Sequence, residues 1–361
     1  MEEKGKKGRM DYTLLLIVVL LVVIGLVILY STSAYNGQVK FHDSFYYLKK
    51  QAFATVLGIV LMLFVAGMDY HIWQRLAVFG YLAAVALSVA VMLFGREING
   101  SKRWLALGPF SFQPSEFAKV ALILFLADLV TKNVKTIGKM WTLCRIMFWI
   151  LPIVGLVGAS NLSTAIIILG IGVILIFVAS PKYAQFALMG IAGACFMGIF
   201  LALESYRLER LAIWKKPEKY EKGYQTLQGL YAIGSGGVFG VGIGNSVQKL
   251  GFVPEAQNDM IFSIICEELG LAGAGIIVFL FLLLIWRFFL IASGSRDLFG
   301  ALIATGAMAH MMIQVILNIA VVTNTIPNTG ITLPFISYGG TSVMFLLIEM
   351  GLVLSVSQVV D

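Results

Sequence analysis

Three polar segments set between long apolar runs hold the residue types that chemistry on a charged substrate would need. The longest, Tyr224 to Gly270, reads YQTLQGLYAIGSGGVFGVGIGNSVQKLGFVPEAQNDMIFSIICEELG and carries Asp259. Asn99 to Lys119 carries Lys102, Arg103, Glu116 and Lys119, and Pro327 to Ser342 carries Ser337 and Ser342. A carboxylate can take the proton of an attacking hydroxyl. Lysine or arginine can stabilise a departing pyrophosphate. For a sugar joined to a lipid through a diphosphate, such a set suffices for a single displacement with inversion, by the logic of inverting glycosidases. Asp259 is the candidate base. Lys102, Arg103, Glu116, Lys119, Ser337 and Ser342 are the candidate substrate contacts.

Each segment also has a plainer reading. Trp104 with its basic neighbours suits a membrane interface, and Glu116 and Lys119 share a helix face at i,i+3. Gln113-Pro114-Ser115-Glu116 reads as a helix start, with proline in the first turn and an acid at the positive end of the dipole. Lysine within a helical span is costly and usually functional. Asn161-Leu162-Ser163-Thr164 reads as a turn and cap. The glycines from Gly234 to Gly244 lack the lysine and serine or threonine of a nucleotide phosphate loop and serve equally as tight turns. Asn258 or Asp259 is expected to cap the following helix. That position near a helix N-terminus favours an ionised carboxylate, which weakens a base, while desolvation acts the other way. Pro327 to Ser342 is too rich in proline and glycine to cross a bilayer. It reads either as a re-entrant loop closing the site or as an ordinary outer hairpin.

The surroundings of these segments are membrane. The chain has 361 residues, 59% hydrophobic and 12% charged, with mean hydropathy +0.91. A soluble domain carries about a quarter charged residues. The expected fold class is an all-α polytopic membrane protein of about ten transmembrane helices, organised as a single membrane domain over residues 1–361. Spans are expected at Tyr12–Tyr30, Ala52–Ala66, Leu76–Phe94, Phe117–Val130, Ile146–Val157, Thr164–Ala179, Phe186–Leu203, Leu269–Ile291, Leu298–Val322 and Ser342–Val356. Residues 1–11 would be cytoplasmic. Residues 204–268 would form a large extracellular loop carrying the site, between the seventh and eighth spans. Positive charge favours the proposed inner loops by roughly two to one, which puts both termini inside and the site outside. The first apolar run is longer than a cleaved signal core and reads as a retained anchor. The net charge of +7 is explained by those loops, and no basic patch suggests nucleic acid. Cys144, Cys195 and Cys266 form no ligand or disulfide framework, and the three histidines are scattered. A divalent cation is compatible with a diphosphate substrate, but no ligand cluster in the sequence designates a site for one.

Taken together, GSKRWLALGPFSFQPSEFAK, the GSGG–VPEAQNDMIF–EELG run and TGITLPFISYGGTS resemble the SEDS family (shape, elongation, division and sporulation) of bacterial membrane proteins. The resemblance covers nearly the whole chain, and GVGIGNSVQKL places it nearer the division and sporulation branches than the elongation branch. It implies a ten-helix fold and peptidoglycan glycosyltransferase activity on lipid II during cell division. It implies a class B penicillin-binding protein as transpeptidase partner, with other division proteins around it in the lipid bilayer. The family's essential outer-loop aspartate falls on Asp259, and its basic and acidic positions fall on Arg103, Glu116 and Lys119. Two departures stand out: Ser160-Asn161-Leu162-Ser163-Thr164 replaces a Pro-Asp-Leu-Gly-Thr turn, and Gln257-Asn258-Asp259-Met260 replaces His-Thr-Asp-Phe. A lipid II flippase and a non-catalytic scaffold for the transpeptidase are the competing readings.

Overall fold

The computed structural model describes residues 9–98, 101–107, 110–187, 190 and 212–359. Six helices open the chain: α1 (Tyr12–Phe41), α2 (Tyr46–Gly67), α3 (Tyr70–Phe94), α4 (Pro114–Asn133), α5 (Met140–Ser160) and α6 (Leu162–Ala179). After the described chain resumes come α7 (Tyr224–Ser235), α8 (Ile261–Gly294), α9 (Leu298–Val322) and α10 (Gly340–Ser357). Eight of these are long and apolar enough to cross a membrane. The expected seventh span, Phe186–Leu203, lies mostly outside the described residues.

Local chemistry sets most boundaries. Asp11, Asp69 and Asp297 cap α1, α3 and α9, accepting from the backbone N–H of Leu14, His71 and Gly300. These caps gather at one end of the bundle. Arg287 reaches Asp11, the Tyr70 hydroxyl reaches Asp297, and Ser355 Oγ donates to the Met68 carbonyl. The 30 residues of α1 make a helix of about 45 Å, longer than the roughly 30 Å of hydrocarbon. The expected first span therefore ends about three turns early.

At the opposite end the chain is irregular. Between α3 and α4 it forms a small antiparallel sheet, unforeseen in sequence, of β1 (Arg96–Ile98), β2 (Ser101–Leu107) and β3 (Phe110–Phe112). Gln113 and Pro114 then start α4 as expected. This helix contains the expected span Phe117–Val130, but it carries Glu116, Lys119, Asp128 and Lys132 and is not one of the eight. It is nonetheless central, with every residue from Ala118 to Ala127 buried. A helix buried on all sides can carry polar groups only if neighbouring helices satisfy them.

The stretch expected as one long loop contains α7 and the first two turns of α8. Helix α8 is broken at Gly270, where φ is +67° and ψ is −170°. The glycine-rich strand beside it repairs the break. Val241 and Gly242 N–H donate to the carbonyls of Glu267 and Glu268, and Leu271 and Ala272 N–H donate to those of Gly237 and Val238. Such pairing is required of broken helices at membrane depth. A side chain on Gly240 would run into the Glu268 carbonyl, and one on Gly270 into the backbone of Gly240 and Val238. The glycines are thus a backbone clasp. Buried ions hold the same strand from below: Lys249 Nζ lies 2.7 Å from Glu268 and 3.0 Å from Ser31 Oγ of α1, and Glu267 accepts from Ser246 Oγ and Val247 N–H.

Candidate active site

The third polar segment joins the other two. Ser342 Oγ, in the first turn of α10, donates to Glu116 Oε2 at 2.8 Å, and Thr341 Oγ1 donates to the Ser111 carbonyl at 2.8 Å. On the other side Tyr338 N–H donates to the Gln257 carbonyl, and Asn328 Nδ2 reaches Gln225. Ser163, at the start of α6, donates to the Thr329 carbonyl at 2.8 Å. Residues 331–337 are mostly buried and dip into the bundle, where Phe335 passes against Gly25 of α1. The re-entrant reading describes this loop better than an outer hairpin does. Its backbone is satisfied by side chains of α9: Gln314 Nε2 donates to the Thr332 carbonyl and Asn318 Nδ2 to that of Ile331.

Asp259 lies where the long segment meets the third one and α9. Its backbone carbonyl accepts from Asn318 Nδ2 at 2.9 Å, and a side chain built on Gly330 would begin 3.8 Å from Asp259 Oδ2. Gly330 is exposed and Asp259 itself is half-buried. Burial pushes the Asp259 carboxyl up to about 6; its own N–H and that of Met260 pull it down, and the charge of Glu255 adds to the rise. The expected cap is not made. Met260 is the N-cap of α8 with no side-chain cap bond, and Asn258 turns to Glu255 instead. The chain makes turns through residues 258–260, so helical geometry begins only after Asp259.

The candidate substrate contacts divide by exposure. Lys102, on β2, is exposed. Arg103 is half-buried, its Nε donating to the Ser160 carbonyl at 3.0 Å, where α5 passes to α6. The adjacent Asn161 caps α6, accepting from Thr164 N–H, so the plainer reading of that turn describes it. Glu116 and Lys119 point inward, 6% and 2% exposed, with Lys119 Nζ 3.1 Å from Glu116 Oε2 and 3.2 Å from Gln314 Oε1. Ser337 Oγ accepts from Leu333 N–H at 2.8 Å within its own loop, and Ser342 is held by Glu116. Among the described residues no cation pairs with Asp259. Lys119 is joined to it through Gln314 and Asn318, which stand one turn apart on α9. Lys119 is engaged by Glu116 and Gln314, and Arg103 donates to the Ser160 carbonyl.

Sequence reasoning missed the residues that make this connection. His310, Gln314 and Asn318 lie at i, i+4 and i+8 on α9, each at most 2% exposed, and Glu349 of α10 faces His310 at 2.8 Å. The signal was present as one polar stripe in an apolar run, MAHMMIQVILN. Among the described residues no group of histidine, cysteine and acid is arranged to hold a metal.

The sequence profile of the cell cycle protein family that groups FtsW, RodA and SpoVE matches residues 12–361. The chain belongs to that family. Stage V sporulation protein E of Bacillus subtilis is 39% identical over 98% of each chain. A probable peptidoglycan glycosyltransferase FtsW of Trichlorobacter lovleyi is 35% identical over 96% of this chain and 93% of its own. Among solved structures, a chain from a peptidoglycan synthase complex that coordinates polymerization and crosslinking superposes with a TM-score of 0.83 at 30% identity, over 96% of this chain and 97% of that one. The rod shape determining protein RodA of Thermus thermophilus gives 0.71 at 28% identity, over 96% of each chain. The family's multi-pass helical fold is thus the fold of this chain.

Proposed function

We propose that this protein is a peptidoglycan glycosyltransferase that polymerises lipid II, an undecaprenyl-diphosphate disaccharide-pentapeptide, into glycan strands during cell division. The observation that carries the reading is Asp259. It is a half-buried carboxylate raised to about 6, set against Gly330 of the third polar segment, with its backbone held by Asn318 of α9. A base near that value is ionised at neutral pH yet still takes up a proton readily. In the proposed step the acceptor sugar hydroxyl loses its proton to Asp259 and its oxygen bonds to the anomeric carbon of the donor. The anomeric carbon–oxygen bond breaks, and the lipid pyrophosphate leaves with the electron pair. Lys102 is the exposed cation available to that pyrophosphate, and Arg103 stands beside it on β2. Glu116, Lys119, Ser337 and Ser342 form the floor that holds the loops in place.

The excess of positive charge on the other side supports cytoplasmic termini and an outward-facing site. Resemblance to a chain of a synthase complex supports a class B penicillin-binding protein as partner. The conversion of Asp259→Ala tests the proposal, using purified protein with its partner, lipid II and a gel readout of polymer. Loss of polymer with folding and partner binding intact is expected; equal polymer from variant and parent removes Asp259 from the mechanism and favours a scaffold. One observation favours a flippase as second reading: the polar groups of α4, α9 and α10 continue into the bundle interior. Movement of lipid II across vesicles without polymer would support it.

A further inference from the structure

Gln314 is a hub whose orientation can be deduced. Its amide faces three groups: the Thr332 carbonyl at 3.1 Å from Nε2, and Lys119 Nζ at 3.2 Å and His310 Nε2 at 2.8 Å from Oε1. A carbonyl can only accept, so the nitrogen end of the amide belongs at Thr332. The oxygen end then accepts from Lys119, and it also requires a proton on His310 Nε2. That assignment fixes the other ring nitrogen. Nδ1 lies 2.8 Å from Glu349 Oε2, and two bare acceptors do not approach so closely, so one further proton lies between them. The pair is either imidazolium with carboxylate or imidazole with carboxylic acid. The charged groups facing His310 are Glu349 from α10 and, through Gln314, the Lys119–Glu116 pair of α4.

Resting on the glycosyltransferase reading, we propose that His310 is a positioning residue. Its Nε2–H locks the Gln314 amide. Gln314 in turn aims the Lys119 ammonium and hangs the loop that carries Thr332 and Gly330 beside Asp259. Were His310 unable to donate, the amide could flip and present its NH2 to Lys119, a repulsive contact, while releasing the Thr332 carbonyl. Glu349 anchors the ring from behind. This role lies outside the set of residues read from the sequence, and it makes α9 the element that couples the buried ion pair to the catalytic loop.

Two measurements test it. In protein carrying 15N-histidine, the His310 signal should report a protonated Nε2, and Gln314→Met should alter it. A bare Nε2 overturns the proposal whatever the activity. In kinetics on lipid II, His310→Asn should lower kcat by about ten-fold to a hundred-fold with KM changed less than about three-fold, the size expected of a small misplacement of reacting groups. His310→Gln, which keeps a donor at the Nε2 position, should recover most of that loss. The double variant His310→Asn/Gln314→Met should lose no more than the worse single variant, because the two act as one unit. Parent-like kcat in a folded His310→Asn, or equal losses in Asn and Gln variants, overturns the positioning role. Absence of polymer from the parent itself would instead count against the glycosyltransferase reading, and the nitrogen signal would still decide the proton placement.

Discussion

Replacing Lys119 tests how the buried layer is held together. The side chain is 2% exposed and its ammonium lies 3.1 Å from Glu116 Oε2, itself on a residue 6% exposed. In Lys119→Met the stem volume is kept and the charge is lost. Among the described residues, Glu116 then keeps the Ser342 hydroxyl as its hydrogen-bond partner. Breaking a buried ion pair on one side costs about 3–5 kcal/mol, because the remaining charge is stranded. A loss of 4 kcal/mol corresponds to about a thousand-fold in the unfolding equilibrium. The double variant Glu116→Gln/Lys119→Met should behave differently. The glutamine amide still accepts from Ser342, no charge is stranded, and such neutral replacements are often tolerated or stabilising. The double variant should therefore recover about 3 kcal/mol relative to Lys119→Met. Denaturant titration of the purified protein in detergent measures both, and polymer yield from lipid II measures function. If the double variant is as unstable as Lys119→Met, or worse, the pair is not coupled as the geometry implies. If it is stable but inactive, the ammonium serves the reaction beyond holding the fold.

Further outcomes follow from the same geometry. Glycosyl transfer should rise with pH through about 6, where burial has placed the Asp259 carboxyl, since the base must be ionised; a flat rate between pH 5 and 8 would remove it from the rate-limiting step. The stability sign is opposite. A raised carboxyl contributes stability that is present below its unfolded value of about 4 and lost as pH rises through about 6, so Asp259→Asn should unfold no more easily than the parent at pH 7.5. Gly270→Ala should cost at least about 2 kcal/mol, because its φ of +67° with ψ of −170° suits glycine and the added carbon meets the Gly240 strand; unchanged thermal unfolding would show that the clasp yields freely. Asn161→Asp should change stability by less than about 0.5 kcal/mol, since either residue caps α6, and a large loss would show that Asn161 does more than cap.

Much of this architecture is written locally. Apolar runs of helical length identify spans, and Pro114, Asn161 and Asp297 announce helix starts through their own backbone chemistry. Lys119 could be singled out because an ammonium in an apolar run demands a partner, and Glu116 was one turn away. Asp259 shares its polar segment with Glu255, Glu267 and Glu268, and the family resemblance is what set it apart. The clasp could not be singled out: the six glycines from Gly234 to Gly244 announce turns, but that Val241 pairs with Glu267 depends on α8 breaking at Gly270, which the apolar pattern of IICEELGLAGAG conceals.

What the sequence alone made legible, then, is which residues are expensive to bury and where most of the long apolar helices run, because both follow from side-chain type and spacing. What the tertiary structure decided is who satisfies whom. Gln314 is 195 positions from Lys119, and Asn318 is 59 from Asp259. In a medium without water each buried polar group must find its partner inside the protein, and helix packing chooses that partner irrespective of distance along the chain. The apolar surroundings of α9 therefore hid the stripe that ties the ion pair, the re-entrant loop and the candidate base together.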